Sequence, residues 1–182
     1  MIEPMRYVDE YINPDEFDRL ISYAKNTRDG VLLTLIYRSG RRVSEVVRSL
    51  KVKDISLATP NIYFNILKKK NVTQTWMRLP EDVMVMMRKY VKGMEQEAFV
   101  FPISRNRVDQ IIKTMGKEAN MLNYQKRKIH VHMLRHSFAV NEARKCKNMM
   151  QLKRLQMKLM HSSLDMTSYY MEHFSEEDEN YE

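Results

Sequence analysis

Apolar residues recur along the chain with two different periods, and the changes of period mark out its elements. From Asn13 onward Phe17, Leu20, Ile21 and Ala24 follow helical spacing. The preceding Asn13-Pro14-Asp15-Glu16 is a start signal: an Asn cap, a proline where no amide is needed, and a Glu placed to reach back to the cap amide. A second helix is predicted from Gly30 through Tyr37, because Val31, Leu32, Leu33, Leu35 and Ile36 leave it little polar surface and place it deep in a core. Ser39-Gly40 breaks that helix, and Val43, Val46, Val47 and Leu50 begin another amphipathic stretch.

The period then shortens. Ile62 to Leu67 and Thr73 to Leu79 are β-branched and aromatic runs on either side of Lys68-Lys69-Lys70-Asn71, the pattern of a hairpin with a basic tip. Pro80-Glu81-Asp82 opens a helix carrying Val83, Met86, Met87, Tyr90 and Val91. Another is predicted from about Arg105 to Met121 with Val108, Ile111, Ile112, Met115 and Ala119 on its buried side. After Lys126-Arg127-Lys128 the chain reads as helical to about Phe174. The predicted fold is mainly α with one small antiparallel β-hairpin.

Composition narrows the class. With 182 residues and 43% hydrophobic content, one well-buried domain is expected. The net charge is +8, but Phe174 to Glu182 holds five acids and no base, so the rest of the chain carries 31 basic against 18 acidic residues, a surplus of 13. A surplus of that size favours a polyanionic partner, although a basic protein kept soluble by its charge would look the same. The single cysteine, Cys146, forbids an intrachain disulfide, and neither a signal-type segment nor a long apolar run occurs, so the expectation is a soluble, cytoplasmic protein. No nucleotide-binding loop or zinc-ligand spacing is present.

Several polar residues stand out against this background. Arg42 lies just beyond the Gly40 break and three residues before Glu45, which by itself reads as a surface ion pair. His132 and Arg135 share one face at a helix start, where an anion is welcome, yet a capping His and a solvated Arg would fit too. His161 beside two serines is ordinarily a helix-end cap, and a buried structural role is the usual fate of Tyr169 or Tyr170.

The order of these residues resembles the catalytic domain of the tyrosine recombinases, the phage-integrase family. Ser39-Gly40-Arg41-Arg42-Val43-Ser44-Glu45 fits the family's first box, and His132-Met133-Leu134-Arg135-His136-Ser137-Phe138-Ala139 matches the second over eight consecutive residues. Leu159-Met160-His161-Ser162 resembles the third, with Met160 where the family has glycine. Tyr170 stands nine residues after His161, the register of the family's nucleophile. The resemblance implies that Arg42 and Arg135 clamp the scissile phosphate, that Glu45 orients Arg42 or a neighbouring histidine, and that His132 accepts the tyrosine proton. It further implies that His161 hydrogen-bonds a non-bridging oxygen and that a hairpin-tip lysine protonates the leaving 5′ oxygen. Counting from the strand start favours Lys68 over Lys69 and Lys70. Arg41 occupies a position usually apolar in the family and suggests an extra backbone contact, while His136 is expected to be structural.

The implied activity is site-specific recombination of double-stranded DNA through a 3′-phosphotyrosyl intermediate, with no metal or nucleotide cofactor and with protomers assembling as a tetramer on DNA. Residues 1–174 would form the catalytic domain and 175–182 an acidic tail that docks on a neighbouring protomer. An N-terminal DNA-clamping domain carried by most members is missing, consistent with either a catalytic fragment or a minimal recombinase. Two alternatives use the same residues: type IB topoisomerase-like relaxation of DNA, and a DNA-binding regulator built on the fold.

Overall fold

The computed structural model describes residues 11–67, 72–121 and 129–160. Seven helices and one hairpin are formed by them, around a single apolar core that draws residues from Ile12 to Leu159. Among the described residues no helix is long and apolar enough to cross a membrane.

Helix α1 (Pro14–Ile21) begins where the sequence signals it. The Glu16 amide donates to Asn13 Oδ1 at 2.8 Å and the Asn13 amide to Glu16 Oε2 at 3.0 Å, so two amides left over at the helix start are satisfied reciprocally. Helix α2 (Thr27–Ser39) starts three residues before Gly30, where it was expected, because Asn26 accepts from the Asp29 amide and caps it. Val31 to Tyr37 are buried apart from Thr34, and α2 packs against both α4 and α6. Its end is set by Gly40, at φ +63°. The next helix, α3 (Val43–Val47), is only five residues long, and a 3-10 turn at Val52–Asp54 follows.

Strands β1 (Asn61–Leu67) and β2 (Val72–Arg78) pair antiparallel, with Tyr63 opposite Trp76. Ile62, Phe64 and Ile66 of β1 face the core, while Tyr63 and Trp76 face outward. The expected lysine tip, Lys68 to Lys70, lies outside the described residues. Helix α4 (Glu81–Val91) buries Val83, Met84, Met87 and Val91; Met86 and Tyr90, expected on that face, are only half-buried at its edge. Helix α5 (Arg105–Glu118) buries the five residues expected of it or of its end, and stops three residues early at a turn through Asn120, at φ +55°. Within residues 129–160 the chain forms two helices, α6 (Val131–Ala143) and α7 (Met149–Leu159), separated by a turn and restarted by an Asn148 cap on the Gln151 amide.

The chain's opening is tied directly to α6. The Ile12 amide donates to the buried Ser137 hydroxyl at 2.7 Å, and that hydroxyl donates to the Met133 carbonyl at 2.8 Å. Phe17 stacks on Tyr37 at 3.8 Å, and the Tyr37 hydroxyl donates to the Ile12 carbonyl and accepts from Asn141 Nδ2. This enclosure pushes the Tyr37 pKa up to about 12, so Tyr37 serves the fold as a neutral phenol.

Candidate active site

The left-handed turn at Gly40 delivers two adjacent arginines to opposite sides, as extended backbone does with successive side chains. Arg42 caps α3 and keeps its side chain 43% exposed, whereas Glu45 beneath it is only 1% exposed. Glu45 Oε2 accepts from the Arg42 amide and Glu45 Oε1 from Arg42 Nη1, each at 3.1 Å. One buried carboxylate therefore holds both ends of Arg42 and leaves the remaining guanidinium edge open to solvent.

Arg41 turns the other way, into the protein interior. It is 3% exposed, its guanidinium lies 5.2 Å from the Phe64 ring centre, and Nη2 meets the Met77 sulfur at 3.7 Å. Its Nε and Nη1 have no hydrogen-bond partner. Burial pushes the Arg41 pKa down, with Glu45 opposing that shift. The arrival of the hairpin over this residue makes the difference, and the sequence around the first box carries no sign of it.

Arg135, in the second turn of α6, is buried, 5% exposed. Its Nη1 donates to the Gly40 carbonyl and its Nη2 to the Leu159 carbonyl, both at 2.6 Å. Those carbonyls belong to the turn that presents Arg42 and to the end of α7 just before His161. Gly40 also meets the Phe138 ring closely: a β-carbon there would collide with Phe138 Cδ1. Met160, standing where a glycine was expected, adopts φ +54°, ψ +38°, the left-handed conformation that glycine favours, so α7 ends in the geometry the glycine would have given.

His132, the second residue of α6, is exposed on one side and meets His136 edge to face at 4.5 Å. Desolvation by the packing around it, then the positive charge of Arg135, His130, Arg42 and Arg105, push its pKa down to about 4. At neutral pH the imidazole is uncharged and able to take a proton. It borders a cavity of about 450 Å³ that reaches Arg48 and Arg105. A larger groove of about 1240 Å³ opens between β2 and the α6–α7 pair, with Arg41 and Trp76 on its wall.

Arg42, Glu45, His132 and Arg135 are thus brought into one neighbourhood. Lys68, Lys69, Lys70, His161, Tyr169 and Tyr170 lie outside the described residues. Ser137, which ties the start of the chain to α6, was not singled out by its sequence: a serine within the second box carries no mark of a partner 125 residues away.

The described family pattern, Phage integrase family, covers residues 10–177. A tyrosine recombinase of Thermosipho africanus (strain TCF52B) is 29% identical over 174 residues, which are 91% of this chain and 58% of that protein. The crystal structure of XerA recombinase aligns with a TM-score of 0.73 at 23% identity, covering 93% of this chain and 59% of that one. A XerH site-specific recombinase bound to difH substrate, in a pre-cleavage complex, aligns with a TM-score of 0.69 at 19% identity, covering 94% and 53%. The fold is common to these proteins, and this chain spans between half and three-fifths of their length.

Proposed function

The chain belongs to the phage integrase family, and from that premise we propose that it is the catalytic part of a site-specific recombinase that cuts and rejoins double-stranded DNA. The Tyr170 hydroxyl oxygen attacks the scissile phosphorus, the bond from phosphorus to the 5′ oxygen breaks, and a 3′-phosphotyrosyl bond forms. His132 takes the tyrosine proton and Lys68 supplies one to the departing 5′ oxygen. Arg42, Arg135 and His161 stabilise the charge on the phosphorane oxygens, and attack by a partner strand's 5′ hydroxyl reverses the sequence. The bond energy stays in the phosphotyrosine throughout, so the exchange is isoenergetic.

The observation that supports this reading most strongly is Arg135 joining the Gly40 and Leu159 carbonyls. It draws three boxes, far apart in sequence, to one point. A guanidinium has five N–H donors in a fixed plane, which suits it to spanning two carbonyls at once. The neutral His132 beside it suits a proton acceptor.

Assembly is part of the proposal. The 1240 Å³ groove combines the exposed apolar surfaces of Trp76 and Met157 with Arg38, Arg41 and Arg154. Residues 175–182 of a neighbouring protomer, acidic and ending in Tyr181-Glu182, match it in charge.

Incubation with a nicked suicide duplex tests the chemistry. A covalent adduct is expected, lost in Tyr170→Phe and retained in Tyr169→Phe. Binding without any adduct on cognate DNA would favour the regulator alternative, and relaxation of supercoiled plasmid without exchange between two sites would favour the topoisomerase-like one.

A further inference from the structure

The 450 Å³ cavity beside His132 joins basic residues that the sequence scatters over eighty positions. Arg48 comes from the end of α3, Arg105 is the first residue of α5, and His130 caps α6. The one acid on its wall, Asp109, is already engaged: Lys113 Nζ lies 2.6 Å from Asp109 Oδ2, and the Val131 amide donates to Oδ1 at 3.3 Å. Among the described residues neither Arg48 nor Arg105 makes an ion pair or a side-chain hydrogen bond, and both are exposed. Convex surface arginines in that state are simply solvated. Here two arginines from separate helices line one concavity whose only acid is already paired, an arrangement that favours an anion between them.

The position of the cavity identifies the anion. Its wall includes His132, which lies within the electrostatic reach of Arg42, Arg105 and Arg135. On the reading that Arg42, His132 and Arg135 receive the scissile phosphate, a strand seated there continues past His132 into the cavity. We propose that this cavity is a second phosphate subsite, in which Arg48 and Arg105 hold the DNA phosphate next to the scissile one. The inference rests on the cleavage-centre reading above. Because the two arginines stand on separate helices, they fix the path of the strand as well as its attraction to the protein. Arg48 and Arg105 are in that sense positioning residues, acting through the placement of the scissile phosphate.

The test uses suicide duplexes in which one phosphate at a time, on either side of the scissile position, is replaced by an uncharged methylphosphonate. Wild-type cleavage is expected to fall on the order of tenfold at one adjoining position. Arg48→Gln/Arg105→Gln is expected to cleave the unmodified duplex at that reduced rate and to lose nothing more when the same phosphate is neutralised. Lys53→Gln, which removes an exposed lysine paired with Glu97, should retain the wild-type pattern. A double variant that stays as sensitive as wild type at every position overturns the subsite. If the wild type forms no Tyr170-dependent adduct at all, the cleavage reading fails, and the subsite is then judged by binding alone. The double variant's dependence of log K on log salt should be shallower by about 0.9 for the lost phosphate contact. An unchanged slope overturns the subsite on that measurement too.

Discussion

The Arg135 guanidinium donates to the Gly40 carbonyl at 2.6 Å, which fixes the second box to the turn that carries Arg42. Arg42 and Arg135, paired in the proposed chemistry, are therefore unequal in the fold. Arg42 is half-exposed and held by one carboxylate; Arg135 is buried and holds two main-chain carbonyls.

Their alanine variants should separate on that difference. Arg42→Ala is expected to lower cleavage by on the order of 10²-fold, with DNA binding and the urea midpoint close to wild type. Arg135→Ala should lose cleavage and also stability, since each carbonyl left buried without a partner costs about 1–3 kcal/mol. Equal urea midpoints for the two variants would show that the Gly40 and Leu159 carbonyls find other donors.

Gly40 is a second point of control. An alanine there must hold φ near +63° and also displace the Phe138 ring. Left-handed backbone costs an L-residue about 1–2 kcal/mol, and overpacking adds about 1–3 kcal/mol. Gly40→Ala should unfold at distinctly lower urea and cleave poorly even where it is folded. A wild-type midpoint would mean that α2 and α6 part at little cost.

At Met160 the strain is already present. Comparing Met160→Ala with Met160→Gly removes the long side chain from both and leaves the β-carbon, which the left-handed backbone disfavours, as the difference. The glycine variant should be the more stable by about 1 kcal/mol, measured by thermal or urea unfolding. If alanine equals or exceeds glycine, the left-handed turn after Leu159 does not persist in solution.

His132 gives a pH dependence with a definite sign. Its folded pKa, near 4, lies below the ordinary 6.5, so between those values the unfolded chain binds more protons than the folded one. Stability contributed at His132 is complete above about pH 6.5 and is lost as pH falls toward 4; His132→Gln should flatten that part of the curve. In NMR the His132 ring signal should titrate well below 6.5 in the free protein and move upward when phosphate-rich DNA is bound. A midpoint at 6.5 without DNA would remove the desolvation, and with it the cationic neighbourhood, assigned to His132.

How far the sequence could be read followed the range of the forces involved. The α1 start was legible because Asn13 and Glu16 satisfy each other within one turn. The hairpin's alternation and the buried face of α5 were legible for the same local reason. The burial of Arg41 was not legible because it depends on Phe64 and Met77, which arrive from the hairpin. Met84 in place of Met86 on the buried face of α4 reflects how that helix is rotated against α2, and the helix's own periodicity leaves the rotation open. The site residues came from motif register, while the merging of Arg48 with Arg105 needed the fold.

The bond from Arg135 to the Leu159 carbonyl also bears on synthesis of the protein. Its acceptor is the last residue of α7, made well after Arg42 and Arg135 have both left the ribosome's catalytic centre. A nascent chain, or a product cut short before Leu159, has its first two boxes but not the acceptor that draws the third to them. Unfinished copies therefore lack the tie between the second box and the end of α7.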